Sequence, residues 1–311
     1  MEQNTFATSA YISAPFPQIV EYLADLKNLD EWTMFSRMQR QIDESTWLGT
    51  ASGYQRPLYY HVKRFECGPL QGIEWHTGFS HGVYHQVYPV LVFPPSYPFN
   101  GNPAEPGAYV HWISFTDPAR RTQMITEGLP SVHTAECRAL KAALERAAGL
   151  RHPAQGRSTV HSESIYIDAP LDLGLEYLAD VGSLTEYAFN LRPDPSGTFV
   201  DEYNRRLAVT SRQYTMGEMA LVEHEHVYVD DDVKQRSVTL LVPCSYAFGQ
   251  PSARGFIKHR ITFQPRAGSQ TLASPNLDDL RAESINAKRR LESKAGNPTS
   301  FARGLSYLPP A

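Results

Sequence analysis

The stretch EYLADLKNLDEW begins at residue 21, and EYLADVGSLTEY begins at residue 176. The match is not isolated. AYISAP (10–15) corresponds to IYIDAP (165–170), PPSYPF (94–99) to PCSYAF (243–248), YVHWISF (109–115) to IKHRITF (257–263), and AECRALKAALERAAG (135–149) to AESINAKRRLESKAG (282–296). Five correspondences in one order, with little drift in offset, mean that one domain has been written twice. The period exceeds the roughly 20–50 residues of a solenoid unit, so each copy is a domain rather than a stackable repeat. A chain of 311 residues has room for two. The expected division is domain 1 at 1–149, a Pro/Gly/Arg linker at 150–159, domain 2 at 160–296, and a flexible tail at 297–311, which has no periodicity.

Each copy opens on a short alternating run (Tyr11, Ser13; Tyr166, Asp168) that reads as a strand. An Ala-Pro step follows, and proline is well placed in a helix's first turn, where its missing N–H has no partner to lose. Ser13 and Asp168 are the expected N-caps. Ile19, Tyr22, Leu23 and Leu26 then fall at helical spacing. Alternating segments divided by Gly, Pro and Asp predict an antiparallel sheet, with strands at 45–51, 56–66, 70–77, 84–93 and 108–116. Their counterparts are expected at about 197–202, 205–214, 219–229, 235–243 and 256–264. Closing helices at 131–148 and 277–294 carry Cys137, Leu140 and Leu144, then Leu280, Ala287 and Leu291, on one face. The fold class is therefore α+β, with the long helix burying its apolar face against the sheet.

Composition narrows the function. A net charge of −4 gives no reason to expect nucleic acid or an anionic membrane as partner, and no apolar run approaches the length of a membrane span. The N-terminus lacks the layout of a signal peptide, and the three cysteines are scattered, which points to reduced thiols and a cytoplasmic location. Dinucleotide, P-loop, nucleophile-elbow and H-E-x-x-H motifs are absent.

The pattern Y-I-[SD]-A-P…E-Y-L-A-D…L-x-E-[WY], the sheet region and the closing helix resemble the helix-grip superfamily, over about 5–149 and 159–296. That superfamily (START, SRPBCC or Bet v 1-like) includes lipid-transfer START domains, plant pollen allergens and bacterial polyketide aromatase/cyclases. Two such domains in one chain further resemble the didomain aromatase/cyclases. The resemblance implies two curved antiparallel sheets, each wrapped around a long C-terminal helix, with a hydrophobic ligand bound between helix and sheet. It also implies an interior arginine with tyrosine and serine neighbours. Arg64 and Arg212 are the available candidates, but they fall on opposite parities of corresponding strands and neither carries over as a motif.

If ligands bind in that groove, useful residues point inward, and alternation selects them. Tyr109, His111, Ile113 and Phe115 form the more apolar set of one strand, as Ile257, His259, Ile261 and Phe263 do of its counterpart. They are expected to face the groove, with His111 and His259 either transferring protons or bonding a backbone carbonyl. Ser-Tyr-x-Phe recurs as Ser96, Tyr97, Phe99 and Ser245, Tyr246, Phe248. Tyr97 and Tyr246 would donate to a developing enolate, or else plug the cavity mouth. VEHEHVYV puts His224 and His226 on one strand face. With His259 they would make a three-histidine set in ligand type, though most H-x-H strands bind no metal and none is expected. The first copy has Trp75 and Thr77 at the corresponding positions, so the second pocket is expected to be the more polar and the first the more aromatic. His76, His81 and His85 read as loop and surface, and Lys288 as the solvent face of the last helix.

The resulting expectation is a cofactor-independent cyclase or aromatase acting on a hydrophobic, polyketide-like intermediate. The catalytic candidates are His111, His259, Tyr97 and Tyr246. The ligand-binding candidates are Ser96, Phe99, Tyr109, Trp75, Ser245, Phe248, His224 and His226. The alternative is a non-catalytic carrier or sensor of a hydrophobic small molecule. A biosynthetic enzyme or carrier protein is the partner such a role suggests.

Overall fold

The computed structural model describes residues 5–51, 55–98, 106–116, 128–189, 191–230, 233–266 and 277–297. Phe99 and the tail beyond residue 297 lie outside the described residues. The first half runs β1 (Thr5–Ile12), α1 (Phe16–Ala24), α2 (Leu29–Trp32), β2 (Ser36–Asp43), β3 (Thr46–Ala51), β4 (Leu58–Cys67), β5 (Leu70–Gly78), β6 (Gln86–Phe93), β7 (Ala108–Phe115) and α3 (Leu129–Ala147). The second runs β8 (Ser158–Ile167), α4 (Leu171–Ala179), α5 (Leu184–Tyr187), β9 (Arg192–Pro193), β10 (Phe199–Val200), β11 (Arg206–Met216), β12 (Met219–Tyr228), β13 (Val233–Pro243), α6 (Cys244–Ala247), β14 (Phe256–Pro265) and α7 (Leu277–Lys294). Each half is a seven-stranded antiparallel sheet, ordered β1-β7-β6-β5-β4-β3-β2 and β8-β14-β13-β12-β11-β10-β9. Each sheet holds its long terminal helix, which is the helix-grip arrangement.

The helix entries differ from expectation. Pro15 and Pro170 take the N-cap positions with no side-chain cap. The backbone N–H groups of Ser13 and Asp168 instead donate to Glu145 and Glu292 of the long helices, both at 2.9 Å. Lys288 is not a solvent residue either: it pairs with Glu292 and donates to the Tyr166 carbonyl. β2 was not expected, because SRMQRQID has no period-two pattern and is largely exposed.

The central strands of each sheet are buried on both sides. The long helix covers the outer face, packing Leu140 and Leu144 on Val110 and Trp112 in the first half, and Ala287 and Leu291 on Leu241 and Phe256 in the second. The inner faces pack on one another, with Leu91, Phe93, Ile113 and Phe115 sharing one cluster with Leu240, Val242, Ile261 and Phe263. This reverses the expected orientation of the histidine strands. The more apolar parity marks the sheet-to-sheet contact, while the helix-facing parity carries Trp112 and Ser114, and Lys258 and Arg260. Polarity could not tell the two faces apart, because all eight residues of β7 are buried.

Tight turns make the halves fit. Gly217 joins β11 to β12 at φ 60°, and a Cβ there would lie 2.5 Å from Glu74 Oε1 of the other half. Left-handed backbone and a clash with a buried carboxylate both act against a side chain. Gly217→Ala is expected to cost about 2 kcal/mol or more, read as a lower urea midpoint at unchanged slope. An unchanged midpoint would show that the two sheets can move apart at this turn without loss.

Candidate functional site

The inner faces gather most of the expected catalytic residues, and gather them around a pseudo-twofold axis. His111 and His259 are each 1% exposed, with their Nε2 atoms 2.8 Å apart. Ser9 Oγ lies 2.6 Å from His111 Nδ1, and Ser164 Oγ the same distance from His259 Nδ1. One imidazole must donate to the other, so a single proton is shared between the two Nε2 atoms. Burial pushes His111 down to about 3 and His259 well below the usual histidine range, the latter helped by His111 and Lys258. Both rings are neutral at neutral pH.

The tyrosines cross between the halves. Tyr97 donates to Glu223 Oε2 at 2.6 Å, and Tyr246, on α6, donates to Glu74 Oε2 at 2.7 Å. Burial, then the carboxylate partner, raises both phenols far above their ordinary value. Glu74 is also 2.9 Å from His76 Nε2, so His76 is a buried strand residue and not part of a surface loop. Tyr109 accepts from the Ser158 backbone N–H at 2.9 Å. Phe248 packs against the shared core, and Ser96, on a turn after β6, and Ser245, on α6, are half-buried. Here the acids and bases are one another's partners. A cleft of about 220 Å³ opens at the edge of the contact, bordered by Thr5, Ser162, Ser164, His133 and His259.

The helix-facing grooves of the two halves are unlike. In the first, Trp32, Trp75 and Trp112 contact one another with ring centroids 5.6–5.7 Å apart. Trp75 also donates to the Leu23 carbonyl at 2.9 Å, and His133 stacks on Trp112. In the second half the repeat puts Tyr187, His224 and Arg260 at those three positions. Around them, the cross-strand row Val62–Trp75–Tyr88 becomes Ser211–His224–Ser237. Three bulky side chains are thus exchanged for two serines and a histidine.

The exchange leaves space and unmet polarity. A cavity of about 50 Å³ is lined by Tyr187, His226, Ser237, Arg260, Thr262 and Glu283, among others. Among the described residues, Ser211 Oγ, His224 Nε2 and Ser237 Oγ are buried without a hydrogen-bond partner. Such atoms cost free energy unless water or a ligand meets them. Arg260 pairs with Glu283 of α7. Burial holds His224 at about 3 and His226 at about 4, with nearby charge from Arg260 acting in the same direction on both.

Arg260, on the helix-facing side of β14, is a residue that sequence reasoning missed. Arg64 pairs with Glu21 on the outside and Arg212 with Glu223 on the inner face. The signal was present in the repeat, where three of the chain's four tryptophans meet a tyrosine, a histidine and an arginine. The three-histidine set does not converge: His224 and His226 face the helix and His259 faces the other sheet. Among the described residues, no group of three or more His, Cys, Asp or Glu could hold a metal ion. Nor is any described helix long and apolar enough to cross a membrane.

Both halves match one family model, a domain of unknown function (DUF8713), at residues 1–153 and 160–300. A search of curated proteins found no match. Among solved structures, the chain is similar to the di-domain ARO/CYC BexL at 11% identity, covering 99% of this chain and 100% of that one, with a TM-score of 0.34. It is similar to the di-domain ARO/CYC StfQ at 11% identity, 94% and 99% coverage, and a TM-score of 0.29. The human StarD13 lipid transfer and protein localization domain matches at 10% identity over 45% of this chain and 76% of its own, with a TM-score of 0.31. Likeness of this degree adds nothing to what the strand order already shows.

Proposed function

We propose that this chain, which belongs to the DUF8713 family through both of its halves, works through the second of them, as a cofactor-independent cyclase or dehydratase of a carbonyl-bearing, polyketide-like molecule held between β11–β14 and α7. The supporting observation is the replacement of Trp32, Trp75 and Trp112 by Tyr187, His224 and Arg260, which leaves buried polar atoms waiting for a partner. The first half is then a structural partner whose groove is plugged.

Aldol cyclisation needs an α-proton removed, an enolate or alkoxide stabilised, and water lost. Arg260, half-buried and fixed by Glu283, is a pre-oriented cation for a developing oxyanion. The Tyr187 phenol, kept protonated by burial, is a hydrogen-bond donor beside it. His224 and His226 are neutral acceptors; an anionic oxygen arriving next to them raises their basicity and lets them pass a proton. A space of about 50 Å³ holds only a few waters. A ring-sized substrate therefore enters as α5 and α7 part from the sheet, and closure over it excludes water. His111, His259, Tyr97 and Tyr246 serve in this reading to lock the halves together.

Two probes test the reading: a naphthalenediol, shaped like a product, in a binding titration, and a linear triketone whose cyclisation is followed by phenol absorbance. His224→Ala is expected to lower turnover about 100-fold while affinity for the diol changes only a few-fold. Combining Tyr187→Trp, His224→Trp and Arg260→Trp, with Glu283→Gln so that no buried charge is left unpaired, copies the plug of the first half and should leave a folded protein that binds neither probe. Equal binding by native and plugged protein would move the site elsewhere. Binding without turnover in the native chain would favour a carrier or sensor.

A further inference from the structure

The second half buries a lysine where the first half needs none. Lys258 lies on β14 two residues before Arg260, is 2% exposed, and donates from Nζ to Ser284 Oγ of α7 at 2.6 Å. Arg260, Glu283 and Glu163 of β8 are the charged groups close enough to act on it. The repeat sets Val110, Cys137 and Thr8 at the places of Lys258, Ser284 and Glu163. The same fold therefore closes around these positions with no charge at all.

Burying an ammonium costs several kcal/mol even after relaxation, so a cation the fold can do without is a poor stabiliser. Nor does Glu163 neutralise it in a closed network: its Oε2 is buried with no hydrogen-bond partner among the described residues. Burial pulls the Lys258 amine down to about 8, with Arg260 adding to the effect and Glu163 and Glu283 opposing it. More of it is then free amine at neutral pH than of an ordinary lysine. A desolvated amine beside a second cation is one of the ways in which proteins make lysine nucleophilic.

We infer that Lys258 is a nucleophile that condenses with a carbonyl group of the molecule held in this groove, with Ser284 relaying the proton. The Nζ lone pair forms the C–N bond as the C=O π pair moves to oxygen. That oxygen takes up the proton released from nitrogen, through Ser284 Oγ. The carbinolamine oxygen then takes up a proton from solvent and leaves as water while the nitrogen lone pair forms the C=N bond of an iminium. The iminium acidifies the neighbouring C–H, giving an enamine for carbon–carbon bond formation, and hydrolysis later returns the free amine. No oxidant or reductant is consumed. The inference rests on the proposed carbonyl substrate of the second half and adds a covalent step to it.

The test is reductive trapping. The full chain is incubated with pentanedione and sodium cyanoborohydride near neutral pH, then digested and mapped by mass spectrometry. An adduct equal to the probe less one oxygen atom is expected on Lys258, forming about tenfold or more faster than on exposed lysines such as Lys27 and Lys63. Lys258→Val, which installs the residue of the first half, should fold and lose only that adduct. Labelling of exposed lysines with Lys258 unmodified overturns the inference. The thermal midpoint measured with pentanedione alone then separates the two readings. A rise that is abolished in the plugged variant keeps the ligand site and removes only the nucleophile. No rise, with no adduct, counts against both.

Discussion

Lowering the pH from about 7.5 to 5.5 is expected to remove roughly 7 kcal/mol of folding stability, enough to unfold an ordinary domain. The cause is a set of imidazoles buried in neutral form. His111 and His224 are held at about 3, His133 and His226 at about 4, and His259 well below its usual value, in each case chiefly by desolvation. The unfolded chain takes up a proton at each near pH 6.5, whereas the folded chain does not. Between the folded and unfolded values the unfolded state binds more protons, so stability falls as pH falls. Each ring contributes about 1.4 kcal/mol per pH unit within that window. Glu136, whose carboxyl burial pushes upward, works in the opposite direction at the acid end. Urea unfolding at three pH values would measure the slope. Replacing His111 and His259 together by Leu should reduce it by the share of two rings. A stability that stays flat from pH 7.5 to 5.5 would mean that these rings are reached by water or paired with acids.

Arg260→Leu is expected to destabilise the protein by about 3–5 kcal/mol, because Glu283 is left charged and buried without its partner. Arg260→Leu combined with Glu283→Leu should recover most of that loss, since two apolar side chains in a dry groove need no pairing. The first half supplies part of the precedent: Trp112 stands in the place of Arg260, while Glu136 keeps the place of Glu283 and accepts from the Met34 backbone N–H at 2.7 Å. Thermal unfolding of both single variants and the double one closes the cycle. Full recovery with loss of triketone turnover would show that the pair is kept for chemistry. No recovery would make it a structural element of the α7 contact.

The duplication, the strand-helix-sheet-helix order and the apolar faces of the long helices were all readable from residue spacing. The contrast between a tryptophan-rich first groove and a histidine-bearing second one was readable too, because Trp75 and His224 align. The facing of β7 and β14 was not. Alternation separates two parities, but it assigns one to the core only where the other meets water. Here the helix takes one face and a second sheet takes the other, so Tyr109, His111, Ile113 and Phe115 looked like groove residues when they face the other half. Placing Lys258 and Arg260 on the discarded parity followed from the same step. His76 was misread for a local reason, as the glycines at 78 and 82 hid the strand that carries it.

The contacts between the halves use the same residue types from each side: His111 with His259, each backed by the serine of its own half (Ser9 and Ser164), and Tyr97–Glu223 mirrored by Tyr246–Glu74. Two separate identical chains could form such an isologous contact, but every substitution in one groove would then appear in both. Joining them covalently fixes a one-to-one stoichiometry and keeps the partner's effective concentration high at any dilution. It also frees each copy to mutate alone. A tryptophan plug in one groove and a buried cation pair in the other become compatible, a division of labour that a symmetric dimer has no means to encode.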